Sequence, residues 1–181
     1  DGSASTPALA FRDDLNTGVF SNGADEFNIA TGGTSRISVT TGGMSINDNS
    51  DDFDIRIEGN SLDNLVRIDA GNDRVGINTS SPDELLDVSG TTDPTIKLQS
   101  TGTGTSDDVI LKLQIGGTSA SSYIYFGDSG ANNLGQIKYL HGSNAMTFAT
   151  NDGSASLTLD SGTDATFAGS VGINETSIDA K

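Results

Sequence analysis

The chain has 181 residues, only 33% of them hydrophobic, with 23 Gly, 7 Phe, 3 Tyr and no Trp, against roughly 45–50% apolar in an ordinary globular domain on a count that includes Gly. Its 25 acidic residues against 9 basic ones give a net charge of −16, which repels phosphates and anionic lipid and excludes a nucleic-acid partner. No run approaches the ~20 apolar residues of a membrane-spanning helix, and the absence of cysteine excludes a disulfide framework and a thiolate metal site.

Apolar residues alternate with polar ones in Phe27/Ile29, Ile37/Val39, Met44/Ile46, Phe53/Ile55/Ile57, Val66/Ile68, Val75/Ile77, Leu86/Val88 and Ile96/Leu98. The pattern continues through Leu111/Leu113/Ile115, Ile124/Phe126, Ile137/Tyr139, Met146/Phe148, Leu157/Leu159, Ala165/Phe167 and Val171/Ile173. Each set puts its apolar side chains on one face of a strand. Gly-Gly, Asn-Gly, Asn-Asp and Asp-Gly steps between them supply the positive φ that tight turns need. One helical turn is expected at Ser81-Pro82-Asp83-Glu84-Leu85-Leu86, with Ser81 as N-cap and Pro82 at N1. Strands at roughly 8–12-residue spacing predict an all-β fold.

Val75-Gly76-Ile77-Asn78 returns as Val171-Gly172-Ile173-Asn174, so the chain reads as an elongated repetitive β protein whose units bury their apolar edges against neighbours. Residues 1–99 form a first β-repeat module, residues 100–108 a joint rich in Gly, Ser and Thr, and residues 109–181 a second module. Such polarity gives disorder by default, but a disordered chain has no reason to alternate. The missing burial is then supplied by other copies, which makes the chain an obligate homo-oligomer. Asp1-Gly2-Ser3-Ala4-Ser5 lacks the basic start and apolar stretch of a signal peptide, and with no initiator Met the sequence reads as a fragment or a processed product.

The stretch Pro7-Ala8-Leu9-Ala10-Phe11-Arg12-Asp13-Asp14-Leu15-Asn16-Thr17-Gly18-Val19-Phe20, followed by Thr31-Gly32-Gly33-Thr34-Ser35-Arg36-Ile37, resembles a pattern of bacteriophage tail-fibre and appendage proteins. Val75-Gly76-Ile77-Asn78-Thr79-Ser80-Ser81-Pro82 through Leu86-Asp87-Val88 resembles the element that follows in them, with Asn78 where Gly is usual; Asn tolerates the left-handed conformation. A further likeness runs from Tyr123-Ile124-Tyr125-Phe126-Gly127-Asp128 through Gly135-Gln136-Ile137-Lys138-Tyr139 and His141 to Met146-Thr147-Phe148, Thr150 and Asn151. The resemblance implies an intertwined homotrimer with a β-helix or β-prism-like shaft, extracellular on the virion, partnered by other tail or fibre proteins. Relatives of this kind often continue into a self-cleaving chaperone domain, and nothing at the Lys181 end resembles one. The implied role is to span distance and present a host-recognition tip. Rival readings are a receptor-binding module of the same fibre, a carbohydrate-active tailspike enzyme and a bacterial surface fibril.

Chemical motifs are weak. Gly127-Asp128-Ser129-Gly130 matches the nucleophile segment of trypsin-like proteases, but the single histidine, His141, follows the serine where that family places it before, so the tetrapeptide reads as a turn. Gly130 to Gly135 has the glycine spacing of a phosphate loop, with Gln136 where the lysine must stand. Asp48-Asn49-Ser50-Asp51-Asp52-Phe53-Asp54 places oxygen side chains as a calcium loop does, yet Phe53 holds its glycine position and Gly59 its final glutamate position, which excludes an EF-hand and leaves a solvated loop, with a non-EF calcium or magnesium site as the rival reading. The pairs Asp13/Asp14, Asp83/Glu84 and Asp107/Asp108 point to opposite strand faces rather than into one cleft. Asn78-Thr79-Ser80 and Asn174-Glu175-Thr176 satisfy the glycosylation pattern. No catalytic residue, cofactor or metal ligand is expected, and the chain reads as a non-enzyme.

Aromatic residues concentrate in residues 122–148. If any part of the chain contacts a host surface glycan, the residues are Tyr123, Tyr125, Tyr139 and His141. Alternation puts Tyr123 and Tyr125 on one face about 7 Å apart, with Ile124 and Phe126 on the other. The competing expectation is that these tyrosines fill the trimer core.

Overall fold

The computed structural model describes residues 1–150 and 153–171. The second Val-Gly-Ile-Asn copy beyond Val171, the partner Ile173 of that strand, the Asn174 glycosylation pattern and Asn151 lie outside the described residues. The fold is all-β: among the described residues there are fourteen strands and no helix. The chain divides into two units, Asp1–Lys97 and Leu98–Lys181.

In the first unit, β1 (Leu9–Phe11), β2 (Asp14–Phe20), β3 (Phe27–Thr31), β4 (Thr34–Thr40) and β5 (Gly43–Ile46) form an antiparallel meander in sequence order. The β3–β4 turn is Gly32-Gly33, with φ of 58° and 80°, the doubly positive pair that a two-residue hairpin requires. Gly18 is needed for a different reason. It is buried opposite Ala10, and a Cβ there would lie 2.0 Å from the Leu9 carbonyl oxygen.

Register then aligns the alternating residues. Leu9, Val19, Ile29, Ile37 and Ile46 are successive cross-strand partners over all five strands, and Phe27, Val39 and Met44 form a shorter row on the same face. The opposite face holds Phe20 and Ala30, both buried, and Asn28, whose buried amide nitrogen has no hydrogen-bond partner.

The next sheet comprises β6 (Ile55–Ile57), β7 (Val66–Asp69), β8 (Arg74–Ile77) and β9 (Leu86–Val88). Its first two pairings are antiparallel and the last is parallel. Two apolar rows cross it, Ile55-Ile68-Val75-Leu86 and Ile57-Val66-Ile77-Val88. Asn78, just past β8, has φ 59° and donates its side-chain amide to the Ser89 carbonyl at 3.0 Å. The expected left-handed residue is therefore found there.

The second unit is another five-stranded antiparallel meander, β10 (Ser121–Phe126), β11 (Gly135–Leu140), β12 (Ala145–Thr150), β13 (Ser154–Leu159) and β14 (Ala165–Phe167). Ile124, Ile137, Phe148, Leu157 and Phe167 again form one row across all five strands.

Three expectations are corrected. Ile96/Leu98 and Leu111/Leu113/Ile115 alternate like strands, but residues 90–120 contain none. A strand exists only where another offers its N–H and C=O groups, and among the described residues no segment pairs with them. Ser81 does not cap a helix; its backbone N–H donates to Thr79 Oγ1 at 3.2 Å, and the Pro82 carbonyl accepts from Arg74 Nη1 at 2.7 Å. The turn closes around Arg74 instead of winding.

Asn78→Val should lower stability by roughly 1–2 kcal/mol, the cost of a β-branched residue in the left-handed region, while Asn78→Gly should change it little. Thermal melts of the two variants check this.

Candidate functional site

Register sorts the four residues expected to contact a ligand. Tyr123 pairs with Lys138 and Tyr125 with Gln136, whereas Tyr139 pairs with Ser122 and Met146. Tyr123 and Tyr125 therefore share the polar face of the sheet with Lys138, Gln136 and Thr147, and Tyr139 belongs to the opposite, apolar face. The two tyrosines lean together: their rings stack at 5.0 Å between centroids with 20° between planes, closer than the strand repeat alone predicts. Lys138 Nζ lies 5.3 Å from the Tyr123 ring centroid, over the ring, a cation–π contact across the pairing. Tyr123 is 38% and Tyr125 52% exposed.

Tyr139 and His141 are engaged locally. Their rings meet edge to face at 4.9 Å. The Tyr139 hydroxyl donates to Asn144 Oδ1 at 3.2 Å, and His141 Nε2 lies 3.0 Å from Ser122 Oγ. Both border an open groove of about 260 Å³ with Leu111, Leu113, Ile124 and Met146. The strand register thus sets Tyr123 and Tyr125 on one face and Tyr139 on the other, while Tyr123 also borders the groove that Tyr139 and His141 line. Lys138 escaped the sequence reading, because only the β10–β11 register places it over a tyrosine.

A second groove, of about 310 Å³, opens beside the acidic run, lined by Ile46, Phe53, Ile55, Ile68, Asp69 and Asp73 among others. Phe53 and Ile55 are half-buried in it, while Ile57, on the same strand face as Ile55, is exposed. Two of the run's four carboxylates have protein partners. Asp51 pairs with Arg36 at 2.9 Å, and Arg36 also lies over the Phe53 ring at 4.9 Å. Asp54 pairs with Arg67 and accepts the Ala70 N–H at 2.9 Å. Among the described residues, no three His, Cys, Asp or Glu side chains converge to hold a metal ion.

Asp128 closes the Gly127–Gly130 turn: its Oδ1 accepts from the N–H groups of Gly130 at 2.7 Å and Ala131 at 3.2 Å, an Asx-type turn. Asp107 accepts the N–H of Gly104, three residues before it.

Neither the protein-family models nor the curated proteins compared with this chain match it.

Asp54→Ala removes the acceptor shared by Arg67 and the Ala70 N–H, and should cost about 1–3 kcal/mol. Chelator should leave the melting temperature unchanged, because arginine already neutralises Asp51 and Asp54. Calorimetry with and without EDTA checks both.

Proposed function

We propose that this chain is a structural segment of a viral fibre, on the pattern of bacteriophage tail fibres: a homotrimeric β shaft, extracellular on the virion, that spans distance and presents a host-recognition tip. The observation that carries the reading is that the aligned apolar rows are mostly half-buried at mid-sheet and open towards the sheet edges. Among the described residues only Phe20, Ala30, Ala145 and Ala149 are buried hydrophobic side chains, while row residues such as Leu86 and Phe167 stand 60% and 51% exposed.

Total surface agrees. The chain exposes 13440 Å², whereas a folded monomer of its 18.5 kDa exposes about 8,200 Å², and two independent halves about 9,900 Å². Part of the excess belongs to residues 90–120, strand-free and almost all exposed, and the remainder includes the open row edges. The resemblance of residues 7–37, 75–88 and 123–151 to tail-fibre proteins supports the virion setting, and the net charge of −16 suits a solvated shaft.

Sedimentation equilibrium at micromolar concentration should give three times the chain mass, with no folded monomer. A folded monomer defeats the reading. Immunolabelling of intact particles locates the chain on or off the fibre.

One observation favours a second reading, a host-contact module of the same fibre: the stacked Tyr123–Tyr125 pair beside Lys138 lies on a polar sheet face, where aromatic rings with wet hydroxyls suit a sugar. Replacing both tyrosines by Ser separates the possibilities. A stable trimer with weakened host adsorption supports contact; a trimer that adsorbs normally leaves the pair no recognition role, and a destabilised trimer assigns it to the core.

A further inference from the structure

We propose that residues 109–115 are a latent edge strand: a strap that closes on the free edge of β10 of its own chain, with Leu111 opposite Ile124 and Leu113 opposite Ser122, and makes the last sheet six-stranded. The device works within one unit and holds whether or not the chain forms a trimer.

Strand β10 stands at the end of its sheet, so its outer edge carries N–H and C=O groups that no strand among the described residues pairs. Shortly before it, Val109-Ile110-Leu111-Lys112-Leu113-Gln114-Ile115 has the alternation of a strand, yet joins none. The two already lie side by side. Leu111 and Leu113 border the groove of about 260 Å³ whose other walls include Ser122, Ile124 and Ile137, and closing would fill it.

Two constraints single out the register. Residues opposite each other on neighbouring strands share a face, and Leu111 and Leu113 border the groove with Ile124, Ile137 and Met146, which belong to the row face. They must therefore oppose even-numbered residues such as Ser122 and Ile124, not Tyr123. The second constraint is the link. The ladder with β11 extends one residue ahead of β10, where His141 donates its N–H to the Ala120 carbonyl at 3.2 Å, so the turn has to end by Ser119. That leaves Gly116-Gly117-Thr118-Ser119 as a four-residue link with Ile115 opposite Ala120, or Gly116-Gly117 alone. The two-residue form needs a positive φ at its first residue at least, as Gly32 and Gly33 have, and neither Gly116 nor Gly117 has one. Four-residue links are built around a type I turn, without that demand.

Closing in this register extends the Ile124-Ile137-Phe148-Leu157-Phe167 row by Leu111, now 68% exposed, and brings Lys112 opposite Tyr123, whose partner on β11 is Lys138. It also blunts an edge on which another chain could add a strand. Ordering seven residues and their link opposes closing, which gives the strap an open and a closed state.

The chain has no cysteine, so an introduced pair reports cleanly. Leu111→Cys with Ile124→Cys should oxidise to an intrachain disulfide that raises the melting temperature, whereas Leu111→Cys with Tyr123→Cys, on opposite faces, should stay reduced. The wild-type chain supplies a second measurement. An edge strand bonds alternate N–H groups, so within residues 109–115 every other amide should exchange at least tenfold more slowly than its neighbours. Uniformly fast exchange, oxidation of both pairs to the same extent or of neither, or disulfides that link only separate chains overturn the inference, and the last of these assigns the segment to a neighbouring copy. None of these results touches the fibre reading, which sedimentation of the wild-type chain tests.

Discussion

The structure depends on one constraint: apolar side chains aligned across neighbouring strands must be taken out of water, and the folded chain does so only in part. Burying a Leu, Ile or Phe side chain stabilises by about 1.5–3 kcal/mol, so a row of five left open forgoes a large part of what could offset chain entropy of about 1–2 kcal/mol per ordered residue. Backbone pairing alone does not close that gap, because each net hydrogen bond contributes only about 0.5–1.5 kcal/mol. The proposed trimer would supply burial of that kind.

Turn chemistry and charge follow from the same constraint. Tight antiparallel pairing keeps a row in register only if each hairpin closes at a fixed length, and positive-φ residues such as Gly32, Gly33, Asp73 and Asn144 occupy those closures. Acidic side chains then take the turns, where they cap backbone N–H groups, as Asp128 and Asp160 do, and keep negative charge off the row faces. A one-residue slip would exchange the two faces and expose every apolar partner, so turn length and row alignment enforce each other.

Much of this was legible in the sequence, since period-2 alternation needs no tertiary information. Ile29, Ile37 and Ile46 each announce a strand and a face. What alternation cannot give is the partner: nothing in Val75-Gly76-Ile77 and Leu86-Asp87-Val88 declares that these two strands pair in parallel. The first two strands went unread because Leu9-Ala10-Phe11 is short and Gly18 interrupts the second with a residue usually taken for a turn; it is there for close approach to the Leu9 carbonyl. The candidate site divides likewise. The shared face of Tyr123 and Tyr125 follows from spacing, whereas their 5.0 Å stacking and the cation beside them depend on rotamers and register.

The two stretches that read as strands but pair with nothing extend the same logic. Leu111 and Leu113 alternate correctly and border the groove over Ile124, Ile137 and Met146, yet their backbone joins no ladder. A pattern shaped for a strand beside a sheet with an uncovered face is the same kind of incompleteness as the open rows, expressed in hydrogen bonds rather than in area. In the proposed trimer a neighbouring chain would answer the open rows with apolar area, while the free edge of β10 would answer residues 109–115 with backbone.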